Sequence, residues 1–206
     1  MGLYSSHIFP RLLDWSLGNN MIRRQRREAL APLRGHVLEI GFGTGLNLSC
    51  FPEAVTEITA IDNERMLQKR VALRIGEARM PVRQLTLDAG GNLPFGDSEF
   101  DGVVTTFTLC SIPDVGSALF EIRRLLKDDG QYVFLEHGRS NDPQVAKRQD
   151  FFNPLQNVIG RGCNMNRPID RLIKASGLEI IKLERYLMPD TPRVFGEMYR
   201  GVARKC

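Results

Sequence analysis

The stretch VLEIGFGTGLNL, residues 37–48, constrains this chain more than any other. Val37, Leu38 and Ile40 have the apolar pattern of a buried strand. Gly41, Gly43 and Gly45 follow as the kind of turn needed where backbone passes close to a ligand. A strand running into such a turn opens a strand–turn–helix unit of a parallel sheet, with the ligand site at the carboxyl end of the first strand. At 206 residues the chain suits one such domain with a filled core and leaves little room for a second.

The rest of the sequence alternates in the same way. Its periodicity predicts strand 36–40, helix 45–51, strand 57–61, helix 64–77 and strand 82–87, then a loop AGGNLPFGDSEF. Strand 101–106, helix 115–127 and strand 131–136 come next, then an irregular stretch 140–167, helix 168–175, strand 178–185 and a closing strand near 194–204. Residues 1–33 stand before the first strand as a helical appendage. Ile8, Phe9, Leu12, Leu13 and Trp15 share one apolar face there, LGNN breaks the helix, and a basic helix runs on to Leu30. The alternation predicts a mainly parallel sheet with helices on both faces.

Composition narrows the function classes. With 42% hydrophobic and 25% charged residues, and no apolar run long enough to cross a bilayer, the chain reads as a water-soluble globular domain. The net charge of +4 is mild. Arg23, Arg24, Arg26 and Arg27 cluster in IRRQRREAL and read as a solvated helix face rather than a nucleic-acid patch. Cys50, Cys110, Cys163 and Cys206 lie far apart with no C-x-x-C pair and no His at ligand spacing, so no metal site and no disulfide framework are expected. A reducing cytoplasm suits that pattern, and no secretory signal precedes it. MGLYSS formally matches an acylation pattern through Gly2 and Ser6, but so short a pattern matches freely by chance.

The glycines do not fit a dinucleotide. A Gly-x-Gly-x-x-Gly fingerprint counted from Gly41 needs a third glycine where Leu46 stands, and Glu39, on the strand itself, would repel a pyrophosphate while favouring a cationic amine. An NAD-dependent dehydrogenase is disfavoured on both counts. The second strand ends at Asp62, about 20 residues on, where an acid can accept from both hydroxyls of an adenosine ribose; Asp62 also suits an N-cap for the segment from Glu64. Asp88 ends the third strand in the same crevice and is placed to accept from the adenine amine.

VLEIGFGTG, AIDNERML, LDAGGNLPFGDSEFDGVVTTFTLCSIPD and LLKDDGQYVFLEHG stand in this order, and together they resemble the class I S-adenosylmethionine-dependent methyltransferases, in the small-molecule branch called methyltransferase type 11. The resemblance covers roughly residues 35–138. It implies a single Rossmann-like doubly wound α/β domain over 1–206: a seven-stranded sheet, mainly parallel, whose last strand, at YRGVARK, is antiparallel. By the same resemblance Gly41, Gly43 and Thr44, on the turn shaped with Gly45, line the methionine end of the cofactor, and Glu39 contacts its amino group. Asp62 would hold the ribose, Asn63 and Met66 would border the adenine, Asp88 with the Ala89 backbone would read the adenine amine, and Thr106 would supply a fourth-strand contact beside Phe107 and Leu109. The cofactor implied is S-adenosyl-L-methionine, with S-adenosyl-L-homocysteine as product.

Methyl transfer from a sulfonium is an in-line displacement from an already activated donor, so positioning supplies much of the acceleration. His137 in FLEHG, at the end of the fifth strand, is the candidate catalytic base. Glu136 points to the other side of that strand and reads as one partner of an ion pair; Cys110 reads as core. Acceptor choice is expected from residues 1–33 and the insert 140–169, forming a cap over a core that spans 34–206. Tyr4, His7 and Trp15 would overlie the donor, and Phe151 and Phe152 would contribute to a mixed polar and apolar pocket. Thiols, phospholipid head groups and quinone precursors all remain open as small-molecule acceptors. The amphipathic start and its arginines add peripheral membrane contact to an otherwise cytoplasmic expectation. A nucleic-acid methyltransferase is the enzyme alternative, weakened because TFTLCSIPD stands where an Asn/Asp-Pro-Pro-aromatic motif belongs and FNPL lies after the fifth strand. A non-catalytic S-adenosylmethionine-binding protein is the alternative from another class.

Overall fold

The computed structural model describes residues 8–206, so the expectations that fall on Gly2, Tyr4, Ser6 and His7 lie outside the described residues. Two helices, α1 (Phe9–Leu17) and α2 (Asn20–Leu30), precede the sheet. Next come β1 (Gly35–Ile40), β2 (Val55–Asp62), α3 (Gln68–Gly76), β3 (Val82–Thr86), β4 (Phe100–Thr106), α4 (Val115–Leu125) and β5 (Leu126–His137). The chain closes with α5 (Pro143–Ile159), α6 (Ile169–Ala175), β6 (Leu178–Leu187), the single turn α7 (Arg193–Gly196) and β7 (Glu197–Lys205).

The seven strands form one sheet in the order β3-β2-β1-β4-β5-β7-β6. Pairings are parallel from β3 through β5, and only β7 runs antiparallel, wedged between β5 and β6. Strand order reverses between β1 and β4, and the crevice outside the carboxyl ends at such a reversal is where ligands bind in open α/β sheets.

The period-2 alternation of buried strands divides the core into two layers. Leu38, Ile40, Val103, Tyr132 and Phe134 turn toward α4 and α6, meeting Leu119, Ile122 and Ile173. Val37, Val104, Val133 and Leu135 turn the other way, toward Ile22, Ala29 and Leu30 of α2 and Val71 of α3. The first strand is held in this register by Gly35: at φ +66° its amide donates to Ala54 O at 2.8 Å, and the neighbouring His36 amide donates to the Asp101 carboxylate at 2.9 Å.

Several boundaries depart from the sequence expectation. Residues 45–51 are not helical: Gly45, Leu48 and Cys50 donate to carbonyls three residues back, making successive tight turns. Gly45, at φ +77°, and Pro52 bound the run, so no helix continues into it from either side. The helix expected from 64 begins at Gln68, because Leu67 takes a left-handed φ of +41°. The stretch 140–167, expected to be irregular, contains the 17-residue α5. Its start carries a readable signal: Asp142 accepts from the amides of Gln144 and Val145, and Pro143 occupies the first turn, where its missing N–H costs nothing. Its apolar pattern is weak and Pro154 interrupts it, which hides the helix from a periodicity reading. Among the described residues no helix is long and apolar enough to cross a membrane.

Candidate active site

The carboxyl ends of β1, β2, β4 and β5 and the loop after β3 surround a cavity of about 380 Å³, within the range of small-molecule sites. Glu39, Gly41, Gly43, Thr44, Asp62, Asn63, Met66, Asp88, Ala89, Thr106 and His137 all line it, so the structure brings together nearly every residue singled out from the sequence. Gly45 is the exception: it lines the neighbouring hollow behind the turn and shapes the loop, with the Phe42 ring 3.1 Å from where its Cβ would stand.

Two glycines of the turn have distinct reasons to be glycine. A Cβ on Gly41, at φ +82°, would lie 2.1 Å from Thr108 Oγ1. At Gly43, φ +56°, a Cβ would meet nothing within 4 Å and would project into open space, as expected where a ligand approaches backbone.

Asp62 builds the turn as well as facing the cavity. One carboxylate oxygen accepts from the Gly43 amide at 2.7 Å and the other from the Glu64 amide at 3.1 Å. Burial pushes its carboxyl above the ordinary aspartate value, against the pull of these two amides. Asp88 accepts from the Gly90 amide at 2.9 Å, which fixes the loop beyond β3.

The side of the cavity nearest α2 holds a polar network that the sequence reading missed. Arg26, taken with its neighbours as a solvated helix face, is only 4% exposed, whereas Arg23, Arg24 and Arg27 do face solvent. Its guanidinium donates to Asn47 Oδ1 and Thr106 Oγ1, each at 2.7 Å, and lies over the Phe107 ring. Asn47 in turn donates to Glu39 at 2.8 Å and to Thr106 Oγ1 at 3.0 Å. Two buried atoms of this network have no partner among the described residues, Arg26 Nε and Glu39 Oε2, and both residues line the cavity. Burial is the chief cause that pushes the Glu39 carboxyl up to about 8, opposed by Asn47 and Arg26 and aided by Asp62. The spacing Ile22, Arg26, Ala29, Leu30 carried the signal, since it puts Arg26 on the apolar stripe of α2.

The N-terminal helix docks by charge more than by its apolar face. Asp14, 6% exposed, pairs with Arg70 and, at 2.6 Å, with Arg74, both on α3, and accepts from the Thr44 hydroxyl at 2.5 Å. Arg74 also donates to Thr44 O at 2.6 Å. Burial would raise the Asp14 carboxyl, but Arg74, Thr44 and Arg70 together hold it below the ordinary value. Phe9, Leu13 and Leu17 line the cavity. Trp15, expected over the donor, is 79% exposed and points away; Phe151 and Phe152 likewise face outward, at 78% and 41%. The chain after α5 reaches the cavity instead through Gly160, Arg161 and Cys163.

His137 lies with its Nε2 3.2 Å from Cys163 Sγ. Burial lowers its basicity, and Cys163 together with the neighbouring Glu136 more than restores it. Glu136 is fully buried and has no ion-pair partner among the described residues; it accepts from the Thr108 amide at 2.9 Å and so anchors the loop after β4. That loop opens with Phe107 at φ +54°, strain held in place by its amide bond to Leu135 O at 2.9 Å. Cys110 is buried, as expected, but it also faces the cavity beside Cys163.

This arrangement suits a zwitterionic adenosine ligand: a carboxylate and a guanidinium at one end, each with one atom that has no partner among the described residues, acids at two further strand ends, and a glycine at the point of closest approach. Known proteins agree. A model of a methyltransferase domain matches residues 38–134. Thiol S-methyltransferase TMT1B of Rattus norvegicus is 29% identical over 153 residues, covering 72% of this chain and 62% of that protein. Phosphatidylethanolamine N-methyltransferase of Cereibacter sphaeroides is 26% identical over 174 residues, 83% of this chain and 84% of that one. The chain spans somewhat less than two thirds of two of these thiol S-methyltransferases, 62% of the rat TMT1B and 64% of the human TMT1A. Among solved structures, 1,6-didemethyltoxoflavin-N1-methyltransferase of Burkholderia thailandensis, bound to 1,6-didemethyltoxoflavin and S-adenosylhomocysteine, superposes with a TM-score of 0.67. The match covers 96% of this chain and 83% of that one at 19% identity, a likeness of fold. Motif, strand order and relatives converge: residues 38–134 match a methyltransferase domain, and the chain is similar to S-adenosylmethionine-dependent methyltransferases over most of its length.

Proposed function

We propose that this chain transfers a methyl group from S-adenosyl-L-methionine to a small-molecule acceptor. The observation that carries the reading is the pair of buried, unpartnered atoms Glu39 Oε2 and Arg26 Nε at one end of the cavity. Glu39 takes the ammonium and Arg26 the carboxylate of the amino-acid end, while Gly41, Gly43 and Thr44 give it room. Asp62 accepts from the ribose hydroxyls, Asn63 and Met66 border the adenine, and Asp88 with Ala89 reads its amine. Thr106, whose hydroxyl accepts from Arg26 and Asn47, keeps the network in register. When bound, the cofactor supplies a methyl on a positively charged sulfur, already activated for displacement.

The protein's part is then to align the acceptor and exclude water. α1, latched by Asp14, and the segment after α5 cap the cavity, and Phe9, Leu13 and Leu17 give that cap an apolar lining. His137 is the group placed to take a proton from a protic acceptor. Thiols, phospholipid head groups and quinone precursors are the acceptor classes the relatives' names and the cavity lining support. Calorimetric titration with S-adenosylhomocysteine tests the reading. Micromolar binding that Asp62→Ala weakens at least 100-fold is expected; no binding to folded wild-type protein would remove it.

Apolar side chains exposed on both caps favour peripheral membrane contact as a further part of this proposal. Ile8, Leu12 and Trp15 at the N-terminus and Leu155, Val158 and Ile159 on α5 stand out to solvent, near a cavity mouth that both segments border. Flotation with anionic liposomes is the check. Protein that stays at the bottom of the gradient, for wild type and Trp15→Ser alike, would discard membrane contact and leave methyl transfer standing.

A further inference from the structure

Cys110, His137 and Cys163 are far apart in the sequence, yet they offer two sulfurs and an imidazole nitrogen all within 4.8 Å of one another. Cys110 follows β4, His137 ends β5 and Cys163 follows α5, and all three face the cavity. We propose that these three side chains bind a zinc ion, with its fourth coordination position open to the acceptor side of the cavity.

The chemistry of the donor set points to zinc. A tetrahedral ion with Zn–S of about 2.3 Å and Zn–N of about 2.0–2.1 Å separates its ligand atoms by roughly 3.5–3.8 Å. The Cys163–His137 contact of 3.2 Å and the 4.8 Å limit on the trio bracket that spacing, so side-chain rotations suffice to close the site. Two thiolates and a neutral imidazole balance the dication, and no net charge is left in a largely buried place. Three protein ligands plus one open position is the pattern of catalytic rather than structural zinc.

The surroundings hold these ligands in place. Asn164, next to Cys163, donates to Cys110 O through its backbone amide at 2.9 Å and its side chain at 3.1 Å. Its side-chain oxygen Oδ1 accepts from Asn153 at 3.1 Å and Asn157 at 3.2 Å, both on α5. Gln156 directs its amide at Cys163 Sγ, 3.5 Å away. Arg167 donates to the carbonyls of Leu109 and, at 2.7 Å, Ile112, on either side of Cys110. Supporting bonds of this sort orient first ligands in metal sites.

The consequence for catalysis rests on the methyl-transfer reading; zinc binding does not. An acceptor thiol entering as fourth ligand loses its proton to water, since a coordinated thiol is ionised outright. A sulfur lone pair of that thiolate forms the new S–CH3 bond. The donor's S–CH3 bond breaks with its electron pair passing to the sulfonium sulfur, which leaves as neutral S-adenosylhomocysteine. In the zinc-bound protein the metal ionises the acceptor, and His137 serves as its ligand in place of acting as a base.

The test uses metal-free, fully reduced protein titrated with zinc against a competing chelator, and with cobalt followed by absorption. One ion per chain with a Kd below micromolar is expected, and cobalt should show thiolate charge-transfer absorption together with the intense visible bands of a tetrahedral site. Cys163→Ser should weaken zinc at least 100-fold and diminish the charge-transfer band, with His137→Asn as a second variant. The wild-type cobalt spectrum is informative whether or not either variant folds. Asp62→Ala should lose S-adenosylhomocysteine and keep zinc, so failure of the cofactor reading and failure of the zinc site are distinguishable. No ion bound by reduced protein, a cobalt spectrum without thiolate absorption, or a Cys110–Cys163 disulfide as the sole stable product would overturn the proposal.

Discussion

The two ends of the one cavity are built on different principles. The end under the glycine turn is assembled from short contiguous motifs at three neighbouring strand ends and gathers three ionisable groups, the buried Arg26 and Glu39 and the half-buried Asp62. The other end draws Cys110, His137 and Cys163 from three distant segments and offers soft, weakly polar ligands. Under the proposed methyl transfer, one end meets a fixed zwitterion and the other a variable acceptor, and the two tasks ask for this division. The first ligand demands preorganised charge, and the second is chosen by whatever covers the sheet.

Arg26→Leu tests the contrast most sharply. It should weaken S-adenosylhomocysteine about 10- to 100-fold, the roughly 1.5–3 kcal/mol typical of a hydrogen bond to a charged group. Arg24→Leu, about half a turn away and exposed, should bind as wild type. If Arg26→Leu bound normally in calorimetry, the charged end would owe its order to Asp62 alone.

Next in size is the cap. Asp14→Ala leaves Arg74 without its closest carboxylate and should cost about 1–3 kcal/mol of α1 docking, less than a fully buried pair because Arg70 is half-exposed. Hydrogen exchange should show α1 amides losing protection about tenfold or more while those of α4 are unchanged. Unchanged α1 exchange would mean that Phe9, Leu13 and Leu17 hold the helix by themselves.

The smallest effect is a pH dependence confined to the charged end. Burial raises the free Glu39 carboxyl to about 8, so this acid is protonated below that pH and must ionise to meet an ammonium. Affinity for S-adenosylhomocysteine should therefore fall as pH drops from 8 to 7, by at most about tenfold for one proton taken up. Glu39→Gln should bind more weakly at pH 8 and lose this dependence. Zinc titrations of the same variant should match wild type and keep the two ends separate.

Legibility followed the same division. Asp62 and Asp88 were readable because each ends a predicted strand, and strand ends on one side of a parallel sheet meet in space by topology alone. Asn47 sits two residues beyond the last glycine, where an expected helix concealed its inward turn toward Glu39. Arg26 was obscured by its neighbours: four arginines in a row of five read as one solvated face, although only Arg26 shares the stripe of Ile22 and Leu30. Cysteine spacing excluded the C-x-x-C arrangement but says nothing about cysteines that the sheet brings together from β4 and from beyond α5.

By itself the sequence determined the sheet, its crevice and the residues gathered at the glycine-turn end of the cavity, because period-2 apolar runs, glycines and strand-end acids act through neighbours in the chain. Tertiary structure alone decided which arginine is buried, that α1 is held by Asp14 rather than by Trp15, and that two cysteines and a histidine face one point. Those outcomes depend on how helices lie across the sheet, which is set by packing and charge pairing between segments remote in sequence.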